Sequence, residues 1–550
     1  MKIRYFYIEN YPPLDKLEIS LPQKSLLEDR ECSIKFIVGI NGSGKSHLQR
    51  AIFQTFLSLS KKEKPPFPVR IVYELKKREN TTIIFYQHRA NIYWWVVNEV
   101  FPDYEEAHWE ILIDELISGI KKSDHSIMED SNFKDVIPFL PNAVIGYTTG
   151  LSDQWEQITK KEINRLDLDE FTLDKFEYED LFRPTNWNKE KEKNFYLGQA
   201  EDGKARVEAL RKIENEIIDI SQQQDVCRFL SPKFLKFGFL ASLLYYFVIK
   251  NNNKFAEEFL NIMKQSEWEL GLSFGWKINL DLDKIKLNRQ LNRVEKLFTL
   301  ANDVIKEPYP SEFRTLYFDL DGISENNFTE SIIDIFGKND KPFEFLKRLI
   351  EFNENGILED VEIILKKKDL EGLILFSELS DGEQMFLCRM SLFHLLKDYD
   401  DALLILDEPE THFNDVWKRE IVDIIDSALK DTASEVLIST HSSIVLTDVF
   451  NDEIVLLKKG KGENGTERME VSPTFGADSS ELMIRVFGAE ESVGRRAQEW
   501  LETKLDDAVW NKKNIDELEK LIKNLGPGFY RSELRTILYK LKSKKDATQS

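Results

Sequence analysis

The stretch GINGSGKS, Gly39 to Ser46, decides the fold of this chain. It follows an apolar segment, Ser33 to Val38, that reads as a strand, and it leads into a segment from Lys45 to about Leu59 with apolar residues at helical spacing. The stretch fits G-x-x-x-x-G-K-[ST] between a strand and a helix, the context in which this motif is informative. Glycines let backbone N–H groups surround phosphates, and the helix start adds a favourable dipole. We therefore expect an α/β protein that binds ATP.

A second motif supplies acidic groups for the same chemistry. The stretch LLILDEPE, Leu403 to Glu410, is an apolar strand that ends in two acids. Asp407 is expected to hold Mg²⁺ together with Ser46, Glu408 to orient the attacking water, and Lys45 to reach the β- and γ-phosphates. By itself, a strand ending in Asp-Glu is equally well a capped turn. The loop residues expected to contact the nucleotide are Gly39, Asn41, Gly42, Ser43, Gly44, Lys45 and Ser46.

Two further motifs follow the same order along the chain. LSDGEQ, Leu379 to Gln384, begins a segment of helical character, and Ser380 and Gly382 are positioned to hydrogen-bond a γ-phosphate bound by a facing subunit. Its alternative interpretation is an ordinary helix start with Ser380 or Asp381 as the N-cap. His441 ends another apolar strand, where it is expected to contact the γ-phosphate, although a lone histidine at a strand end is usually structural.

Composition limits the function further. The chain has 550 residues, a formal net charge of −22 and a pI near 5.0, so its overall field repels nucleic acid at long range. Its three cysteines form no CxxC pair, which favours a reducing compartment over a zinc site or a disulfide framework. The apolar run Phe237 to Ile249 is shorter than the roughly 20 residues of a membrane-spanning helix. The protein is expected to be cytoplasmic.

In their order, spacing and residues, these motifs resemble those of the ABC/SMC-type ATPases. They resemble more closely those of the compact branch that includes RecF-like and OLD-family proteins. Within that branch, DEPETHF followed by STHSS resembles the PtuA family, the ATPases of Septu anti-phage systems, which also occur beside retrons. The resemblance implies a dimer with two ATP molecules sandwiched between heads. It also implies a separate HNH nuclease partner of the PtuB type and, in retron-associated members, a reverse transcriptase with its RNA–DNA.

The resemblance carries site residues and an organisation with it. By motif position it assigns roles to Lys45, Ser46, Ser380, Gly382, Asp407, Glu408 and His441. Gln154 is the preferred Q-loop glutamine, with Gln157 and Gln87 as competitors, and Asn414 falls at the D-loop. Asn10-Tyr11-Pro12 departs from the Asn-Phe-Arg of SMC-like relatives and leaves that phosphate contact in doubt.

The expected fold is an α/β ABC/SMC-type P-loop ATPase head, split by a largely helical insertion and followed by a C-terminal helical region. The expected parts are an N-terminal ATPase lobe over 1–150, a mostly helical insertion over 151–370, a C-terminal lobe with signature, Walker B and histidine over 371–475, and a helical region over 476–550.

Two alternatives stay open at this stage. One is a RecF- or SMC-like DNA-repair ATPase that acts on DNA directly, and another is the nucleotide-binding subunit of a transporter. A fused nuclease is disfavoured, because the sequence has no HNH arrangement and no DxD pair after His441. Tyr93-Trp94-Trp95 resembles a base-stacking surface, but its strand-like setting favours core packing.

Overall fold

The computed structural model describes most of the chain. The described residues are 1–22, 31–76, 81–88, 91–97, 101–118, 137–150, 152–159, 226–249, 254–265, 268–279, 296–306, 313–319, 330, 332–333, 335–336, 342–368, 372–397, 399–429, 431–460, 465–489, 493–506, 509–511 and 514–546.

Strands and helices alternate through the described residues. The strands are β1 Lys2–Ile8, β2 Leu17–Ser20, β3 Ser33–Val38, β4 Val69–Leu75, β5 Thr81–His88, β6 Asn91–Val97, β7 Ala143–Thr148, β8 Cys227–Leu230, β9 Trp268–Asn279, β10 Asp303–Lys306, β11 Phe313–Asp319, β12 Leu358–Lys367, β13 Leu373–Leu375, β14 Ala402–Asp407, β15 Glu435–Thr440, β16 Ile454–Lys459 and β17 Thr466–Met469. The helices are α1 Lys45–Ser60, α2 Glu106–Ile117, α3 Asp153–Thr159, α4 Pro232–Ile249, α5 Lys254–Gln265, α6 Phe343–Glu354, α7 Asp381–Leu395, α8 Asp415–Leu429, α9 Ser443–Leu446, α10 Ser479–Arg485, α11 Arg495–Leu505, α12 Ile515–Asn524 and α13 Phe529–Asp546.

The central sheet brings distant parts of the sequence together. Its strand order is β17-β16-β3-β15-β14-β7-β8, with parallel pairing from β16 to β8 and an antiparallel edge at β17. Strands β3, β14 and β15 are buried along their whole length, as expected for parallel strands covered on both faces. Their carboxyl ends therefore lie along one edge, where ligands of open α/β sheets bind.

An antiparallel sheet of order β2-β1-β4-β5-β6 shares a hydrophobic core with α1 and the central sheet. Phe56 on α1 meets Tyr73 on β4 edge to face, with ring centroids 5.3 Å apart. Trp94 and Trp95 are 5% and 1% exposed and point into the cores on opposite sides of this sheet. The packing interpretation of these two tryptophans is therefore confirmed.

A third sheet lies mostly within the segment 151–370, for which a mostly helical insertion was expected. Its order is β10-β11-β9-β12-β13, with antiparallel pairing throughout. Strand β9 buries Phe274, Trp276 and Ile278, which alternate along the chain as a strand requires. Helices α4, α5 and α6 pack beside it.

Helix α4 is the longest apolar segment, and it packs against α6 and α7. Phe237, Phe239 and Leu240 on it are fully buried. Among the described helices, none combines the length and the apolar character needed to cross a bilayer.

The chain forms two compact units, Met1–Ala477 and Asp478–Ser550. The second unit contains α10 to α13 and has its own small core, which includes Leu501, Leu518 and Leu534. The described residues of this unit form helices and no strands.

Candidate nucleotide-binding site

The loop between β3 and α1 has the backbone of a phosphate-binding loop. Gly42 and Gly44 have φ of 80° and 94°, a region that glycine enters without strain. At Gly44 a Cβ atom would lie 2.8 Å from Leu14 Cδ2 and 2.8 Å from Thr466 Oγ1, so a side chain there would force these neighbours to shift. The loop is thus held from outside by neighbouring segments, while its N–H groups line the start of α1.

Lys45 lies across this loop. Its Nζ donates to the carbonyl of Gly39 at 2.9 Å, and the side chain is 6% exposed. Burial lowers the pKa of Lys45, and the negative charges of Glu408 and Asp407 oppose that effect. The Lys45 ammonium lies 4.0 Å from Glu408 Oε1. A buried cation beside phosphate-binding N–H groups suits an anionic ligand.

Asp407 ends β14 and is surrounded by hydroxyl groups. Ser46 donates to its Oδ1 at 3.0 Å, Thr148 donates to Oδ2 at 3.2 Å, and Ser439 also donates to Oδ1. Burial raises the pKa of Asp407, while these hydrogen bonds favour the charged form. Because Ser46 Oγ and the Asp407 carboxylate are adjacent hard oxygen ligands, the pair fits Mg²⁺ whose remaining ligands are phosphate oxygens and water.

No group of three or more His, Cys, Asp or Glu in the described residues could hold a metal ion by itself.

Glu408 and His441 form an ion pair at the same sheet edge. His441 Nδ1 lies 3.0 Å from Glu408 Oε1. Their hydrogen bond is the main reason that the pKa of Glu408 is lowered and the pKa of His441 is raised. The Glu408 backbone has φ of 51°, and its N–H is held by the Ser439 carbonyl and hydroxyl, each at 3.1 Å. An ionised carboxylate with a fixed backbone suits the orientation of a water molecule.

The signature stretch caps α7. Ser380 is the N-cap: its hydroxyl lies 2.7 Å from Glu383 Oε2 and accepts from Glu383 N–H at 3.4 Å. The side chain of Ser380 is exposed. Among the described residues, no hydrogen bond or ion pair joins Ser380 or Gly382 to the loop Gly39 to Ser46. The N-cap interpretation is confirmed, and it leaves the exposed helix start available to a second molecule.

Of the glutamine candidates, Gln154 contacts Arg50 on α1, the helix that follows the phosphate-binding loop. Its Oε1 accepts from Arg50 Nη1, and Arg50 Nε donates to the Ser46 carbonyl at 3.2 Å. Gln157 is exposed on the same short helix, α3. Gln87 is buried and donates to the carbonyl of Pro65 at 2.9 Å. The structure thus brings Gln154 next to α1 and gives Gln87 a structural contact.

The departure at Asn10-Tyr11-Pro12 and the D-loop candidate Asn414 both have local structural contacts. Tyr11 packs edge to face on Phe67, with ring centroids 4.8 Å apart, and faces His47 at 6.5 Å. Asn414 Oδ1 accepts from the N–H of Trp417 at 2.9 Å and so caps α8. Both segments border the phosphate-binding edge through α1 and the loop after β14.

Sequence reasoning missed several residues of this site. Thr148 and Ser439 contact Asp407 from the ends of β7 and β15, and a hydroxyl at the end of each apolar strand was the available signal. Gln49 is fully buried and donates to the carbonyl of Leu406 at 2.9 Å. Arg389 was also missed, although a lone arginine in the apolar stretch MFLCRMSLF is unusual.

Comparison with known proteins gives a partial match. A domain family described as "AAA domain, putative AbiEii toxin, Type IV TA system" matches residues 267–448, well under half of the chain. No curated protein matches the chain in a sequence search.

The chain is also similar to solved SMC head domains. One is the Smc head domain of Pyrococcus furiosus bound to the C-terminal domain of ScpA, at 12% identity and TM-score 0.30, covering 86% of this chain and 96% of that one. Another is the SMC head domain of Thermotoga maritima, at 11% identity and TM-score 0.30, covering 86% and 100%. Scores this low describe a distant likeness.

The parallel sheet, the loop after β3 and the acidic end of β14 define an α/β P-loop protein. Lys45, Ser46, Asp407 and Glu408 lie together at the carboxyl edge of this sheet. The chain is accordingly a P-loop protein of the ATPase class.

Proposed function

We propose that this chain is an ATPase and that two copies of it pair, head to head, over two ATP molecules. This pairing would control a separate nuclease effector in anti-phage defence. One observation carries the ATPase proposal. Lys45, Ser46, Asp407, Glu408 and His441 meet at one sheet edge. Ser46 donates a hydrogen bond to Asp407, and Glu408 pairs with both Lys45 and His441.

Each residue has a defined task in hydrolysis. The loop N–H groups and Lys45 bind the β- and γ-phosphates, and Ser46 with Asp407 would hold Mg²⁺. Bound Mg²⁺ supplies positive charge against the developing charge on the phosphates. Glu408 is ionised and orients water for attack on the γ-phosphorus. His441, which pairs with Glu408, would contact the γ-phosphate. Gln154 would respond to the presence of the γ-phosphate through its hydrogen bond with Arg50 on α1.

The proposal of paired heads rests on the signature helix. Ser380 and the start of α7 are exposed and present N–H groups with the positive end of a helix dipole. Such a helix start attracts phosphate. Because the contacts of Ser380 stay within its own helix, the γ-phosphate it would bind belongs to the ATP of a second copy.

The proposal of a separate effector rests on the motifs and on the matched domain family. The motif wording resembles PtuA-type ATPases, which implies an HNH nuclease of the PtuB type as partner and, in the retron-associated variety, a reverse transcriptase with its RNA–DNA. The matched domain family is described as a putative toxin of a type IV toxin–antitoxin system, which supports a role in a system of two components. The net charge of −22 disfavours nucleic acid as a ligand bound by general attraction.

The decisive experiment is the Glu408→Gln variant with and without ATP. Loss of the water-orienting carboxylate should leave ATP binding intact, so the variant should pair when ATP is added and remain paired. The matched control is Glu408→Gln combined with Lys45→Ala, which should stay unpaired. A Glu408→Gln variant that has the same size with and without ATP contradicts the proposal.

The effector is tested by co-expression with the proteins encoded beside this chain. An HNH protein that co-purifies supports the defence role, and a reverse transcriptase specifies the retron variety. Tight, salt-sensitive binding of DNA by the purified chain alone would instead favour the DNA-repair alternative.

A further inference from the structure

Arg389 is a buried arginine within the signature helix α7. It is 1% exposed, and its Nη1 donates to the carbonyls of Pro409 and Thr411, the latter at 2.9 Å. Its Nε donates to the Tyr147 hydroxyl at 3.2 Å. The guanidinium faces the Phe413 ring at 4.8 Å. Because a buried cation is costly without such partners, these contacts fix the helix to the loop after β14.

That loop carries the catalytic residue at one end. Glu408 and His412 both have left-handed backbone, with φ of 51° and 73°. Inside the loop, Thr411 N–H donates to the Glu408 carbonyl at 3.1 Å and Phe413 N–H donates to the Glu410 carbonyl at 3.0 Å. The two carbonyls that accept hydrogen bonds from Arg389, those of Pro409 and Thr411, lie on either side of Glu410. The guanidinium therefore binds this tight loop at its centre.

Glu410 links the loop after β14 to the segment that contains His441. Its side chain is 2% exposed and accepts a hydrogen bond from Thr440 Oγ1. The same Thr440 hydroxyl accepts from the N–H of Ser442 at 3.0 Å. The residues on both sides of His441 are thereby tied to Glu410, and through the loop to Arg389.

The start of α7 also contacts the loop after β14. At Gly382 a Cβ atom would lie 3.1 Å from the carbonyl of His412, tighter than ordinary contact. Gly382 and Arg389 are about two helical turns apart and lie on one face of α7. A close-packed helix transmits displacement along its length. Movement at Ser380 therefore displaces the loop at two points.

We propose that Arg389 is a positioning residue that ties the loop Glu408 to His412 to the signature helix, so that contact of Ser380 with the ATP of a second copy sets the Glu408–His441 pair of its own site. The inference rests on the proposed function, because it assumes that two heads share ATP. One guanidinium nitrogen, Nη2, and the Thr411 hydroxyl are buried and make no hydrogen bond among the described residues. These two groups are therefore available for hydrogen bonds in a second arrangement of the helix and the loop.

The test is Arg389→Lys, which keeps the charge but loses the planar fork that grips two carbonyls. We expect kcat to fall about a hundredfold, as for other small misplacements of catalytic groups. ATP affinity should stay within about twofold, since Arg389 does not touch the P-loop, and Glu408→Gln with Arg389→Lys should still pair with ATP. A variant that loses ATP affinity as much as kcat, or keeps the wild-type kcat, overturns the proposal.

Arg4→Lys is the matched control. Arg4 is equally buried and is held by Glu74, Asp103 and the carbonyl of Pro102, away from the signature helix. Its substitution should lower stability without changing kcat. A loss of kcat equal to that of Arg389→Lys would make the effect a general result of disturbing a buried arginine, and the proposal would fail.

Tyr147→Phe decides the matter if Arg389→Lys does not fold. It removes only the hydroxyl that accepts from Arg389 Nε, and it should lower kcat with unchanged ATP affinity. A wild-type kcat in Tyr147→Phe then overturns the assignment. The proposed function has a separate failure: if Glu408→Gln alone does not pair with ATP, both proposals fail, whereas normal pairing with unaffected kcat in the Arg389 variant removes only this one.

Discussion

The ion pair between Glu408 and His441 predicts a coupled titration that Glu408→Gln should uncouple. The hydrogen bond between the two side chains is the largest cause of both pKa shifts. Glutamine keeps the size of the side chain but carries no charge. The pKa of His441 should therefore fall from above its ordinary value of 6.5, because the remaining burial lowers it.

The contribution of this ion pair to the free energy of unfolding depends on how exposed its two side chains are. His441 is 49% exposed and Glu408 is 29% exposed, so water screens the pair and its contribution should be about 0.2–1 kcal/mol, the range of solvent-exposed pairs. For Glu408, whose pKa is lowered, the contribution is present above 4.5 and is lost as the pH falls through the folded pKa. For His441, whose pKa is raised, it is present below 6.5 and is lost as the pH rises through the folded pKa. The pair therefore stabilises the fold most between these two values.

The assay is NMR of protein labelled at histidine, of which the sequence has seven. The resonance missing from His441→Gln identifies this residue, and its titration is then compared between wild type and Glu408→Gln. Glu258→Gln is the matched control, because it removes the carboxylate 3.5 Å from His394 and should leave the His441 titration unchanged. Identical His441 titrations in wild type and Glu408→Gln would refute the pairing.

Two more substitutions test the phosphate loop and the metal side of the site. Gly42→Ala should cost about 1–2 kcal/mol of left-handed strain, and Gly44→Ala about 1–3 kcal/mol more, because only there would a Cβ meet Leu14; equal shifts of the urea midpoint would refute the steric argument. Ser439→Ala should raise the Mg²⁺ concentration for half-maximal hydrolysis by about 10–100-fold. Its hydroxyl opposes the rise that burial causes in the pKa of Asp407, and an unchanged Mg²⁺ dependence would contradict this role.

Much of the fold around the site was predictable from the chain. The strand Ser33–Val38, the loop that follows and the helix beginning at Lys45 lie where the motif placed them. Asp407 and His441 were assigned to one site from the order of the motifs along the chain, and the parallel pairing of β14 and β15 brings the ends of both strands to one edge. These features depend on local spacing, which a sequence shows directly.

Other features depend on tertiary contacts that local patterns do not encode. Thr148 and Ser439 were missed because a hydroxyl acquires its role only when its strand is placed beside β14. The partners of Arg389 are backbone carbonyls, which have no sequence signature. The sheet around Trp276 was missed because its pairing joins segments far apart in the chain.

The central claim is that each ATP is held by the loop of one copy and the signature of another. It is tested most directly by mixing two inactive variants. Lys45→Ala lacks the phosphate-binding lysine but keeps its signature. Ser380→Asp keeps the loop and, because aspartate is also a good N-cap, keeps α7, but it places a carboxylate against the phosphates of the other copy.

A mixed pair contains one intact site, formed by the loop of the Ser380→Asp copy and the signature of the Lys45→Ala copy. The account predicts that ATP hydrolysis by the mixture clearly exceeds the sum of the two variants measured separately. A mixture that hydrolyses ATP no faster than that sum, or a Ser380→Asp variant that hydrolyses ATP as fast as wild type, would contradict it.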